Sequence, residues 1–144
     1  MKRLILISTM MLMAAVLSAQ TSVSVLYSPQ DAGKGLRIDQ QENTYGLYGS
    51  VAYGNYKSIY GYAKDHYRMV VGATKHSEQS YIGIGVAYSR FGETDLPAAS
   101  KALIPVTIEL CGGTKIGRFI CGLAVDVVKY SAGVNFGFMF GNKE

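Results

Sequence analysis

Ser58, Asp65 and His66 bring a hydroxyl, a carboxylate and an imidazole into one short stretch, "SIYGYAKDH". Those three groups are the components of an acyl-transfer site, provided that the base reaches the nucleophile and a third group holds the base. Here all three fall within a single connection that fixes none of them, so solvated loop residues are the simpler account. The other histidine, His76, lies near a turn predicted at the opposite end of the fold. No HxxxH or Cys/His spacing is present, so a shared metal is not expected. "GIGVAY" opens no helix and "GATKH" lacks phosphate-loop spacing. Cys111 and Cys121 flank a turn signal, and strict alternation sends Cys111 inward and Cys121 outward. A bulge at Gly112 and Gly113 would reverse one face and permit a disulfide, so both outcomes stay open. No catalytic, cofactor-binding or metal-ligating residue is assigned. The chain is read as a non-enzyme that needs no cofactor.

The elements that would carry these residues begin after a leader. "MKRLILISTMMLMAAVLSAQ" has a basic start, an apolar run from Leu4 to Leu17 and small residues at Ser18 and Ala19. That is the pattern of a secretory signal peptide, and the run is short of the roughly 20 apolar residues that span a bilayer. Residues 1–19 are therefore expected to be a signal peptide and residues 20–144 one β-barrel domain. Without the leader the chain keeps twelve basic and ten acidic residues, net +2, and no Lys/Arg cluster. Nucleic acid is not an expected partner. Seventeen glycines, eleven tyrosines and no tryptophan fit many short strands.

Period-two alternation predicts eight strands: Thr21–Pro29, Lys34–Gln41, Tyr45–Gly54, Tyr67–His76, Tyr81–Phe91, Ala102–Gly112, Gly117–Val128 and Ser131–Phe140. The connections sort into a tight set and a set with two long members, Asn55–His66 and Gly92–Lys101. Transmembrane barrels segregate short periplasmic turns and long outer loops in this way. "SIYGYAK" also alternates and could be a ninth strand, but bacterial barrels take an even number, so it is read as part of the long loop or a hairpin rising above the membrane. Pro105 lacks a ladder donor and is expected near the outer rim.

One face of these strands is apolar throughout, from Val23 and Val25 to Phe136, Phe138 and Phe140. The other carries Gly, Ser, Ala and five charges: Arg37, Asp39, Arg68, Glu109 and Asp126. A soluble lipocalin-like barrel would hide the apolar face, whereas a membrane barrel shows it to lipid. Small residues with a few long polar ones suit the narrow interior of eight strands. The five inward charges must then pair, because an unpaired buried charge is costly. They are expected to form a polar network plugging the lumen; the alternative is a narrow water-filled pore lined by the same groups. Tyr27, Tyr53, Tyr56, Tyr67 and Tyr88 fall at predicted outer ends, and Tyr45, Phe119 and Phe140 at inner ones, as an aromatic girdle requires.

The closing segment, "GVNFGFMF", resembles the last strand of Gram-negative outer-membrane β-barrels. The alternating positions are Val134, Phe136, Phe138 and Phe140, and "GNKE" follows where many members of that family stop at the aromatic. In pattern the chain is similar to the small eight-stranded barrels of the OmpA/OmpX type and to small barrel proteins of Bacteroidota. The resemblance implies an antiparallel up-and-down transmembrane barrel in the cell outer membrane, in contact with lipid and lipopolysaccharide. It also implies recognition of Val134–Phe140 by the barrel-assembly machinery. The chain is superficially similar as well to barrel-shaped lipid A deacylases, but its last two predicted strands hold no histidine. A structural or surface-binding role is expected through loops 55–66 and 92–101, with Tyr56, Lys57, Tyr60, Tyr62 and Lys64 as contact residues. A small passive pore and a lipid-modifying enzyme are the alternatives.

Overall fold

Side chains branched at Cβ or aromatic at every second position favour a pleated backbone, and here they recur from residue 20 to residue 140. The computed structural model describes residues 20–28, 33–58, 61–96 and 103–141, the side chains of 56–58 excepted. Expectations about the signal peptide, Tyr60, residues 97–101, residues 142–144 and the side chains of Tyr56 and Lys57 lie outside the described residues.

The strands are β1 (Gln20–Ser28), β2 (Gly33–Glu42), β3 (Tyr45–Ser58), β4 (Gly61–His76), β5 (Ser80–Arg90), β6 (Val106–Ile116), β7 (Phe119–Asp126) and β8 (Ser131–Phe140). Each pairs antiparallel with the next, and β8 returns to β1 in a register running from Thr21↔Phe140 to Tyr27↔Val134. The sheet is a closed up-and-down barrel of eight strands with no free edge. Its apolar side faces out: Val25, Ile38, Val71, Ile84, Val86, Ile108 and Phe136 are all exposed. The other side fills the lumen, where Tyr48, Val70, Tyr81, Ala87, Cys111, Ile120 and Met139 form the buried apolar cluster.

Three tight turns join strands at one end. Asn43 adopts φ 55 in the Asn43–Thr44 turn, a left-handed conformation that asparagine tolerates. Ser77 closes the next, its N–H donating to the Ser80 carbonyl at 2.8 Å. Gly117, at φ 61, makes the third with Arg118.

That third turn corrects the sequence expectation. Strand six was placed at Ala102–Gly112, but β6 begins at Val106 and runs to Ile116, so Thr114 and Lys115 are strand rather than turn. Pro105 stands just before the strand, where its carbonyl accepts from Ser89 N at 2.7 Å and no donor is needed. No bulge occurs at Gly112 and Gly113, whose register against Leu123 and Gly122 is continuous. Cys111 therefore stays inside and Cys121 outside, both as free thiols.

The connection expected at Asn55–His66 is largely a hairpin. β3 and β4 continue pairing from Gly54↔His66 through a register shift to Ser58↔Gly61. At the shift Asn55 faces two residues, Lys64 and Asp65, and Asp65 takes φ 52.

Candidate functional site

The lumen is built by pairing large inward side chains with glycines on neighbouring strands. A Cβ on Gly72 or Gly85 would strike the Tyr48 ring or hydroxyl, and one on Gly113 or Gly122 would strike Tyr81. Glycine weakens a strand, but at these four sites it leaves room for a phenol to lie across the barrel.

Arg37 sits where these rings meet. Its side chain is fully buried, with Nε and Nη2 donating to Asp39 Oδ2 and Oδ1 at 2.7 and 2.8 Å. The two residues are neighbours on one face of β2, so the fork-to-carboxylate geometry follows from the strand itself. The guanidinium lies 3.9 Å from the centroid of Tyr48 and 5.4 Å from that of Tyr81.

Tyr48 links this pair to a second ionic group. Its hydroxyl donates to Glu109 Oε1 at 3.2 Å, and Arg68 reaches Glu109 Oε2 at 3.0 Å and Asp126 Oδ2 at 2.7 Å. Thr107 also donates to Asp126 Oδ2. Asp126 Oδ1 accepts the N–H groups of Val128 and Lys129 at 3.0 and 2.9 Å, which shapes the β7–β8 turn. Arg37, Asp39, Arg68, Glu109 and Asp126 thus form one chain of contacts through Tyr48, from the middle of the lumen to its loop end.

Below that chain, Asn135 Nδ2 donates to the Tyr81 hydroxyl at 3.0 Å, and His76 Nε2 lies 2.8 Å from Thr74 Oγ1. Lys115 Nζ donates to Gln41 Oε1 at 2.9 Å and to the Ser77 carbonyl, near the tight turns. Above it a cavity of about 50 Å³ remains, bordered by Ser50, Ala52, Arg68, Glu109, Ala124 and Asp126. That is room for water rather than for a solute of metabolite size.

The two long connections meet instead of standing apart. Lys64 N donates to the Glu93 carbonyl at 2.8 Å, Gly92 N to the Lys64 carbonyl at 3.0 Å, and Asp95 N to the Tyr62 carbonyl at 3.1 Å. Tyr62 N is bound by Asp95 Oδ1, and Ala63 bridges Thr94. Ala63 and Leu96 are buried under this crossing, packed against Phe91 and Leu103. Of the expected contact residues, Tyr62 is half-buried here and Lys64 is exposed.

His66 corrects the reading of a solvated loop histidine. It is fully buried, its ring stacked on Phe91 with centroids 4.2 Å apart. Lys129 Nζ lies 5.0 Å from the same Phe91 ring and donates to Ser89 Oγ at 2.7 Å. Asp65 turns the other way, its Oδ1 accepting the Tyr53 hydroxyl at 2.7 Å. Carboxylate and imidazole are therefore not brought together, and the Ser58 side chain lies outside the described residues.

Sequence reasoning missed Lys129, Lys115 and Phe91, which sit in a turn, in a supposed turn and at a strand end. Tyr48 and Tyr81 carried a signal that went unused: each is inward, large and faced by glycines in register.

Comparison with family models, curated proteins and solved structures finds no match to this chain.

Proposed function

We propose that the chain is an outer-membrane barrel of the small OmpA/OmpX type, non-conducting and non-enzymatic, that displays a structured cap at its outer end. The observation that carries this is the inversion of the faces: the outward side is apolar through its middle, while the ion pairs lie inside. Along β3 the outward residues from Tyr45 to Tyr53 cover about 26 Å of strand, or about 20 Å of barrel axis at a tilt of about 40°. Each end of that stretch is a tyrosine, as interfacial anchoring favours. Placing so much apolar surface in water would be a standing aggregation hazard, whereas lipid removes it.

The filled lumen supports a structural or binding role over a pore. Arg37 and Asn135 are fully buried, Arg37 against the Tyr48 and Tyr81 rings and Asn135 on the Tyr81 hydroxyl. The joined connections support a contact surface made of Gly61–Asp65 and residues 91–96 together, with Lys64 at its edge. On this reading Val134–Phe140 is the segment offered to the assembly machinery. Fractionation with heat-modifiable gel mobility tests the placement: the processed chain should pellet with outer membrane and shift on boiling. Recovery as a monodisperse protein in detergent-free buffer would overturn it.

A further inference from the structure

The turn end of the lumen holds two buried basic side chains, Lys115 and His76, that a surface-binding role does not use. Lys115 Nζ reaches from β6 to donate to Gln41 Oε1 at 2.9 Å and to the Ser77 carbonyl at 3.2 Å. Gln41 leads into the β2–β3 turn and Ser77 begins the β4–β5 turn. The Lys115 backbone N–H donates in turn to the Gln79 carbonyl at 2.8 Å. Two residues before Gly117, this one lysine ties all three tight turns together. His76 ends β4, with Nε2 2.8 Å from Thr74 Oγ1 and its ring stacked on Tyr81 at 5.8 Å between centroids. Among the described residues its Nδ1 makes no hydrogen bond. A Cβ on Gly46 would stand 3.1 Å from His76 Nε2 and 2.8 Å from Thr74 Oγ1. The ring is thus packed against bare backbone and cannot retreat toward β3.

The charged groups that face His76 are Lys115 from β6 and Arg37 and Asp39 from β2, while β5 offers the Tyr81 phenol and β3 only Gly46. Asp39 already binds Arg37 through both oxygens, at 2.7 and 2.8 Å. A proton on His76 would therefore add a third cation to a group with one carboxylate. It would also make both ring nitrogens donors, Nδ1 with no acceptor in place. Imidazole is the side chain that changes charge between about pH 5 and 8, so mild acid suffices to pose this conflict. Relief lies toward the turns, where a cation reaches water. Lys115 has the longer and more flexible stem, and its departure breaks the bonds to Gln41 and Ser77. We propose that the turn end is an acid-released latch: protonation of His76 drives Lys115 off Gln41 and Ser77 and lets the three turns part. The Arg37–Asp39 pair and the Tyr48 ring stay in place above it, so acid loosens this end without emptying the lumen. Both groups lie inside the sheet, and the latch works whatever surrounds the wall.

The test is amide hydrogen exchange by NMR on the purified chain folded in detergent micelles. Protection factors of the His76, Ser77 and Lys115 amides should fall about tenfold or more from about pH 7.5 to about pH 5. The fall should follow the titration of the His76 ring, while the middle of the β3–β4 ladder keeps its protection. His76→Gln retains a hydrogen-bonding group for Thr74 and cannot gain the charge, so its protection should not depend on pH. Lys115→Met should lose the protection of Ser77 at both pH values. Constant protection in the unaltered chain, a fall that His76→Gln retains, or full protection in Lys115→Met overturns the latch. Heat-modifiable mobility shows which variants have folded. If neither has, the unaltered chain still decides: a His76 ring that titrates while the three amides stay protected is no sensor.

Discussion

Single residues in this lumen depend on what their neighbours lack. Gly85 makes room for the Tyr48 hydroxyl, so Gly85→Ala should destabilise the barrel by about 1–3 kcal/mol through overpacking. Tyr48→Phe removes the atom that the new methyl meets. The double variant should therefore recover part of the loss in a double-mutant cycle, measured by urea unfolding in micelles. Purely additive losses would show that the clash is not the cause. Arg68 poses the electrostatic version. It stands between Glu109 and Asp126, and Arg68→Met would leave two buried carboxylates facing one another without a cation. Breaking such a group costs about 3–5 kcal/mol, whereas neutralising all its members together is often nearly neutral. Arg68→Met should thus fail to fold or unfold early, and the triple variant with Glu109→Gln and Asp126→Asn should regain most of that stability. Alternation alone assigns these residues to the inner face, because side chains change sides at every step of a strand. What alternation cannot supply is the partner, since Arg68 meets Glu109 and Asp126 only across a closed sheet.

Strand existence was legible where apolar residues recur at period two without interruption, and β8 coincides with its expected bounds, Ser131–Phe140. Strand ends were less legible. Gly112, Gly113 and Thr114 have the composition of a turn, yet the glycines lie within β6 because Tyr81 occupies the space beside Gly113. The turn signal that counted was Gly117, whose φ of 61 suits a residue without a side chain. The long hairpin was obscured for a different reason. The bulge at Asp65 shifts the register, so Ala63 and His66 both point inward and the period breaks. The cap that follows depends on tertiary packing that no local pattern announces. Phe91 is its centre, stacked on His66, near Lys129 and packed against Ala63 and Leu96. Phe91→Ala should free both connections while the wall holds. Limited proteolysis should then cut within Gly61–Asp65 or residues 91–96 at least tenfold faster, tenfold being about 1.4 kcal/mol, roughly what a half-buried phenylalanine contributes. Unchanged cleavage would mean that the backbone bonds at Lys64 and Gly92 hold the cap unaided.

For the molecule as a whole, the question is whether anything passes through it. An eight-stranded barrel has an interior just wide enough for side chains to fill, so conduction depends on whether the filling is complete. Here the Arg37–Asp39 pair, the Tyr48 and Tyr81 rings and Asn135 share the middle of the lumen, and the space left near Arg68 is about 50 Å³. Opening a path requires removing a ring without stranding a charge. Tyr48→Ala alone leaves Arg37 paired with Asp39 but takes away the ring beneath its guanidinium and the bond to Glu109. Gly72 and Gly85, which flank that ring, have no side chains to fill the gap, and water should enter. In planar bilayers the unaltered barrel should give no steady unitary current, and the Tyr48→Ala barrel should give small, steady, cation- and anion-permeable steps. Steady conductance in the unaltered chain would mean that the network lines a pore instead of blocking one. The role of the cap would then shift from a contact surface to a gate over that pore.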